Sequence, residues 1–132
     1  MLGQLTTDDN VVVADFEAGL ATVLRIDDGA VDVVVVVVEP TATSLDVGRR
    51  AADVVRERSL GRLVVTANRV RDDADRARVG AAFPGLELVV VPDEAAIVAA
   101  ERAGVAPLDA FPHAPGVRAL VRLGEMLVSQ PG

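Results

Sequence analysis

Six consecutive valines, Val33 to Val38, between Asp32 and Glu39-Pro40, constrain the fold of this chain more than any other feature. An unbroken β-branched run follows neither the period of 3.6 of an amphipathic helix nor the alternation of a strand with one wet face. The stretch Val31 to Glu39 therefore predicts a strand buried on both faces, as the inner strand of a parallel sheet covered by helices is. Pro40 ends it, because proline cannot donate to the ladder. On this reading a charge at Val35 would unfold the domain, since an unpaired buried charge costs several kcal/mol, about the whole stability of a small domain.

The rest of the chain alternates in the same way. Val11 to Phe16 reads as a short strand, and Leu20 to Ile26 as a short helix closed by Asp27-Asp28-Gly29. After Pro40, Thr43 is an N-cap candidate with Asp46 three residues on. Leu45, Gly48, Ala52 and Val55 then share one helical face, with Arg49, Asp53, Arg56 and Glu57 outward, as far as about Ser59. Arg62 to Ala67 is the next strand, Asp72 caps a helix reaching toward Ala82, and Leu86 to Val91 is a strand stopped by Pro92. Glu94 to Ala103 is a helix with Gly104 at its C-cap, and Pro115 to Val128 is the last helix. Residues 1–132 thus predict one α/β domain, a partial doubly wound parallel sheet of about four strands with flanking helices. The 2% aromatic content agrees, since such layers pack from Val, Leu, Ile and Ala. Ligand sites in these sheets lie in the loops after the strand carboxyl ends, here 15–19, 39–44, 67–72 and 92–94.

Composition removes several chemistries. With no cysteine there is no disulfide framework, zinc knuckle, iron–sulfur ligation or thiolate nucleophile. Every basic side chain is arginine, so the chain supplies neither a Schiff-base lysine nor a lysine contact to phosphate. The net charge of −7 disfavours a grip on nucleic acid or an anionic membrane. The longest apolar run is far short of the roughly 20 residues of a membrane-inserted helix, and Met1 to Asn10 has no signal-peptide pattern. A cytoplasmic protein with neither nucleic-acid partner nor membrane insertion is expected. His113, flanked by prolines and without a ligand set, reads as a surface or packing residue, and Asp72, Asp73 and Asp75 as helix-capping residues. Asp8 and Asp9 look like the acidic pair of a receiver domain, but that chemistry needs a lysine.

The segment V-V-V-A-D-F-E-A-G-L sets Asp15 at the end of an expected strand, with Gly19 four residues later. Such a carboxylate can hold Mg²⁺, and such a glycine lets a backbone amide approach a terminal phosphate. A strand-end aspartate that caps the following turn produces the same pattern. Asp15-Phe16-Glu17-Ala18-Gly19 resembles the switch segment of the MinD/ParA group of P-loop ATPases, particularly the carbon monoxide dehydrogenase maturation ATPases. Val38-Glu39-Pro40 with Ser44-Leu45 resembles the group's next strand and helix start. Asn68-Arg69-Val70 is similar to its Asn-Lys-Val base-recognition segment, and Val91-Pro92-Asp93 to its final Ile-Pro-x-Asp segment. The resemblance is collinear from about Leu5 to Leu127.

It implies a P-loop NTPase-like fold that binds ATP and Mg²⁺. Asp15 would lie near the metal, Gly19 would face the γ-phosphate, Asn68 would pair with the adenine edge, and Pro92 and Asp93 would line the base pocket. The family's glycine-rich loop with its two lysines, the strand before it and the helix after it have no counterpart here. The chain thus reads as the C-terminal half of such a domain, truncated or split and not competent for hydrolysis alone, because the amides and lysine that stabilise the transferring phosphate are missing. A different class of function is a non-catalytic interaction module, pairing through the edge that the missing strand leaves. Both readings leave room for a homo-oligomer or for a partner chain that carries the P-loop.

Overall fold

The computed structural model describes residues 10–16 and 20–129. Three strands, β1 (Val33–Val38), β2 (Arg62–Val70) and β3 (Glu87–Pro92), form an all-parallel sheet in the order β1-β2-β3. Six helices accompany it among the described residues: α1 (Leu20–Leu24), α2 (Ala42–Glu57), α3 (Asp73–Ala82), α4 (Ala95–Ala103), α5 (Pro107–Ala110) and α6 (Pro115–Val128). The fold is α/β with helices flanking the sheet. No helix among the described residues is long and apolar enough to cross a membrane.

One sheet face carries the main core. Val36 and Val38 of β1, Val65 and Ala67 of β2, and Leu88 and Val90 of β3 stand in register and meet Leu45, Ala51 and Ala52 of α2 and Val79 of α3. Each fully buried valine here contributes about 1.5–3 kcal/mol relative to an exposed one. Helix α2 lies close because Gly48 carries no side chain. A Cβ there would land on Val38 Cγ1 and come within 3.2 Å of Phe83 Cζ. On the opposite face Val64, Thr66 and Val91 are buried, and α6 packs against β3. Arg62 fastens the far end of α6. It donates to both carboxylate oxygens of Glu87 at 2.9 Å and to the Met126 carbonyl at 3.1 Å, placing a cation at the helix carboxyl end.

Caps define the helix ends. Thr41, not Thr43, caps α2. Directly after Pro40 its backbone is extended, and its Oγ1 accepts from the Ser44 amide at 3.2 Å while Ser44 Oγ accepts from the Glu39 amide at 2.9 Å. Asp72 caps α3 as its sequence predicts, accepting from Asp75 N at 2.8 Å, and Gly104 closes α4 with φ of 70°. The short α5, begun by Pro107, is an element that periodicity does not reveal, since four residues hold barely one turn.

Three expectations are corrected. The valine run is not the central strand: among the described residues β1 pairs only with β2, and Val37 is 62% exposed. The central strand is β2, where Val64, Val65 and Ala67 are fully buried. A valine run reports how much burial a segment tolerates, whereas the neighbours that bury it come from strand order. Second, Val11 to Phe16 forms no strand. Residues 10–16 carry no regular structure, and Val11, Val12 and Val13 are 69%, 53% and 87% exposed. The described sheet therefore has three strands rather than four. Third, β2 does not end at Ala67 but runs on to Val70, because a bulge between Ala67 and Val70 restores its pairing to β3 at Pro92.

Candidate functional site at the strand carboxyl ends

The bulge in β2 shapes the carboxyl edge of the sheet. Within it Arg69 adopts a left-handed backbone, φ 60°, a conformation that costs a non-glycine residue on the order of 1 kcal/mol. Asp93 N donates to Val70 O at 2.9 Å and locks the strand that follows. The outcome is that Arg69 projects between the ends of the two outer strands. Its NH1 lies 3.6 Å from Glu39 Oε1, after β1, and its Nε lies 3.7 Å from Asp93 Oδ1, after β3. The Arg69 side chain is largely exposed and both carboxylates are about half exposed, so the pairs contribute little stability. Their significance is positional: one guanidinium gathers residues from three strand ends.

Glu39, Pro40, Thr41, Arg69, Arg71 and Asp93 line a cleft of about 220 Å³ at this edge, beside the capped amino end of α2. Its wall is braced from below by Asp75. This carboxylate is buried and accepts from Arg71 N at 3.0 Å, Arg71 Nε at 3.2 Å and Arg78 NH1 at 3.3 Å, and Arg78 also reaches the Pro40 carbonyl at 3.3 Å. The hydrogen bond from the Arg71 amide, with the two guanidiniums, holds the Asp75 carboxyl below its ordinary range against the opposing effect of burial. Arg71 is correspondingly raised, chiefly by its bond to Asp75. Sequence reasoning treated Asp75 as one of three capping residues, whereas only Asp72 caps. The signal available was the pair of arginines at i−4 and i+3 around it.

The residues singled out by resemblance fall in different places. Asn68, Pro92 and Asp93 all lie at the joined carboxyl ends of β2 and β3. Asp93 is on the cleft wall, whereas Asn68 and Pro92 are half-buried and are not among the residues lining the cleft. Asn68-Arg69-Val70 is part of the extended strand, not of a loop after it. Asp15 is exposed in the irregular segment 10–16, is not among the residues lining the cleft and ends no strand. Gly19 lies outside the described residues. Among the described residues no group of three acidic or histidine side chains is placed to hold a metal ion.

A second depression, about 190 Å³, lies between α2 and α3 at the opposite, amino edge, lined by residues such as Arg49, Arg56 and Phe83. Ligands of parallel sheets bind at the carboxyl edge, where loops diverge and helix amino ends point inward, so the Arg69 cleft is the stronger candidate. No family model matches the chain, and no curated protein matches it either.

Proposed function

We propose that this chain is part of a MinD/ParA-like nucleotide-binding domain, retaining the base-recognition side of an ATP site and lacking the elements that hold the phosphates. The observation that carries the reading is the convergence of Glu39, Arg69 and Asp93 from three strand ends at the carboxyl edge, with Asn68 and Pro92 next to Arg69 and Asp93 in the chain. Asn68 has the amide needed to donate to and accept from an adenine edge. The cleft sets two carboxylates against two arginines, so it offers no net positive cradle for a triphosphate. Hydrolysis by the chain alone is not expected, because no lysine is present to stabilise the transferring charge.

The test is a titration of the isotope-labelled chain with adenosine and with Mg-ATP, followed through backbone amide resonances. Saturable shifts at residues 68, 69 and 93, equal for both ligands and lost in Asn68→Ala, are the expected outcome. Without phosphate contacts the dissociation constant should be on the order of 1 mM, about 4 kcal/mol of binding. Absence of saturable shifts at several millimolar, or shifts that persist unchanged in Asn68→Ala, refutes base recognition at this edge.

A second reading, a non-catalytic module that associates through its sheet edge, is favoured by a separate observation. Strand β1 has one pairing partner among the described residues, and its outward face at Val37 is open. In this second reading no nucleotide binds, so the titration above separates the two.

A further inference from the structure

Free sheet edges in natural proteins are protected by lysine, proline, a bulge, an inward charge or extreme shortness. Among the described residues the outer edge of β1 has none of these: it is six valines long, regular against β2 and uncharged from end to end. Among the described residues no strand pairs with its outer amides and carbonyls, and Val37 is 62% exposed while its register partner Thr66 is 2% exposed. The same chain displays a second unsatisfied segment. Val11 to Ala14 is uncharged, valine-rich and irregular, with side chains 53–87% exposed at the three valines. It is followed by α1, which is tied down at its carboxyl end where Arg58 donates to Leu24 O and Ile26 O, each at 2.9 Å. Among the described residues one chain thus presents both a strand edge with no pairing strand and an irregular, valine-rich segment, and leaves the two unjoined.

We propose that the occupant of the β1 edge is a second copy of this chain, which donates its residues Val11 to Phe16 as an added strand, reciprocally between two copies. The proposal rests on the sheet-edge reading above and names the partner for it. Each copy carries a net −7, which opposes association, so added salt strengthens the dimer by screening that repulsion, and the facing parts, β1 and Val11 to Ala14, are themselves uncharged. Strand addition supplies backbone hydrogen bonds along β1, and burial of the donor valines supplies the apolar term.

The chain contains no cysteine, so introduced thiols report without background. Full-length chains bearing Val13→Cys or Val37→Cys, both at exposed positions, are mixed and treated with a short bismaleimide, and the untreated parent chain is followed by light scattering from micromolar to millimolar concentration. The expected result is a mass of twice 13.7 kDa at high concentration, and a linked species that contains one of each variant. Val12→Pro, which removes a donor from an exposed segment, should raise the dimer dissociation constant at least tenfold while leaving the melting profile of the monomer in place. A dimer that links only Val37→Cys to Val37→Cys overturns strand donation and leaves the sheet-edge reading standing. A link formed within a monomer carrying both substitutions overturns the second copy in favour of the chain's own segment. A monomer at every concentration, without links, overturns both strand donation and the sheet-edge reading it rests on.

Discussion

At the residue scale, Asp75 and Arg69 show how two kinds of charged residue serve one edge of the sheet. Asp75 is buried, with its carboxylate satisfied by a backbone amide and two guanidiniums, and through Arg78 it ties α3 to the loop that follows β1. Arg69 is exposed and spans the cleft in a strained backbone conformation. Because the folded state holds the Asp75 carboxyl below its ordinary range, Asp75 contributes stability that is fully present above the unfolded carboxylate pKa of about 3.9 and is lost as pH falls through the lower folded value. Asp75→Asn should therefore lower the melting temperature at pH 7 and flatten its dependence on pH below 4. Parallel melts of the two proteins between pH 2 and 7 check this, and an unchanged acid slope in the variant would refute the role of Asp75. The sequence reading found the aspartates but not this division of labour, because capping is local whereas the burial of Asp75 depends on α3 packing against the sheet.

At the scale of elements, the contact between α2 and β1 depends on Gly48. Replacing it with alanine gains helix propensity of up to about 1 kcal/mol but drives a methyl group into Val38, where overpacking costs typically 1–3 kcal/mol. Gly48→Ala should be net destabilising, by up to about 2 kcal/mol in denaturant unfolding, and a stabilised variant would mean that α2 can shift outward freely. The strands supply a sharper contrast. Val65→Asp, at a fully buried position on the central strand, should abolish cooperative unfolding. Val37→Asp, at 62% exposure on β1, should leave a folded protein with a cooperative melt. Equal loss of folding in both would restore β1 to the interior that its sequence suggests. From sequence alone Val35 looked as intolerant as any core position, yet it is only half-buried on an edge strand, so it no longer discriminates between a central strand and an outer one.

Across the whole molecule, the three strands and the helices between them follow from local chemistry. Valine runs bounded by Pro40 and by Pro92 require extended chain, Asp72 and Gly104 set a helix start and a helix end, and the apolar stripe of α2 at Leu45, Gly48, Ala52 and Val55 is visible in the spacing. These features depend on interactions spanning a few residues, which is why they are legible before any fold is known. What the tertiary structure alone decided is which segments become neighbours. It placed β2 rather than β1 at the centre, left Val11 to Phe16 unpaired, extended β2 through a bulge to Val70, and brought Glu39, Arg69 and Asp93 together across three strand ends. Hydrophobicity is a scalar property of a segment, and it records that burial is favourable without naming the surface that provides it. Strand order, the closing of the bulge against β3 and the meeting of distant charges are set by how the whole sheet and its helices pack at once.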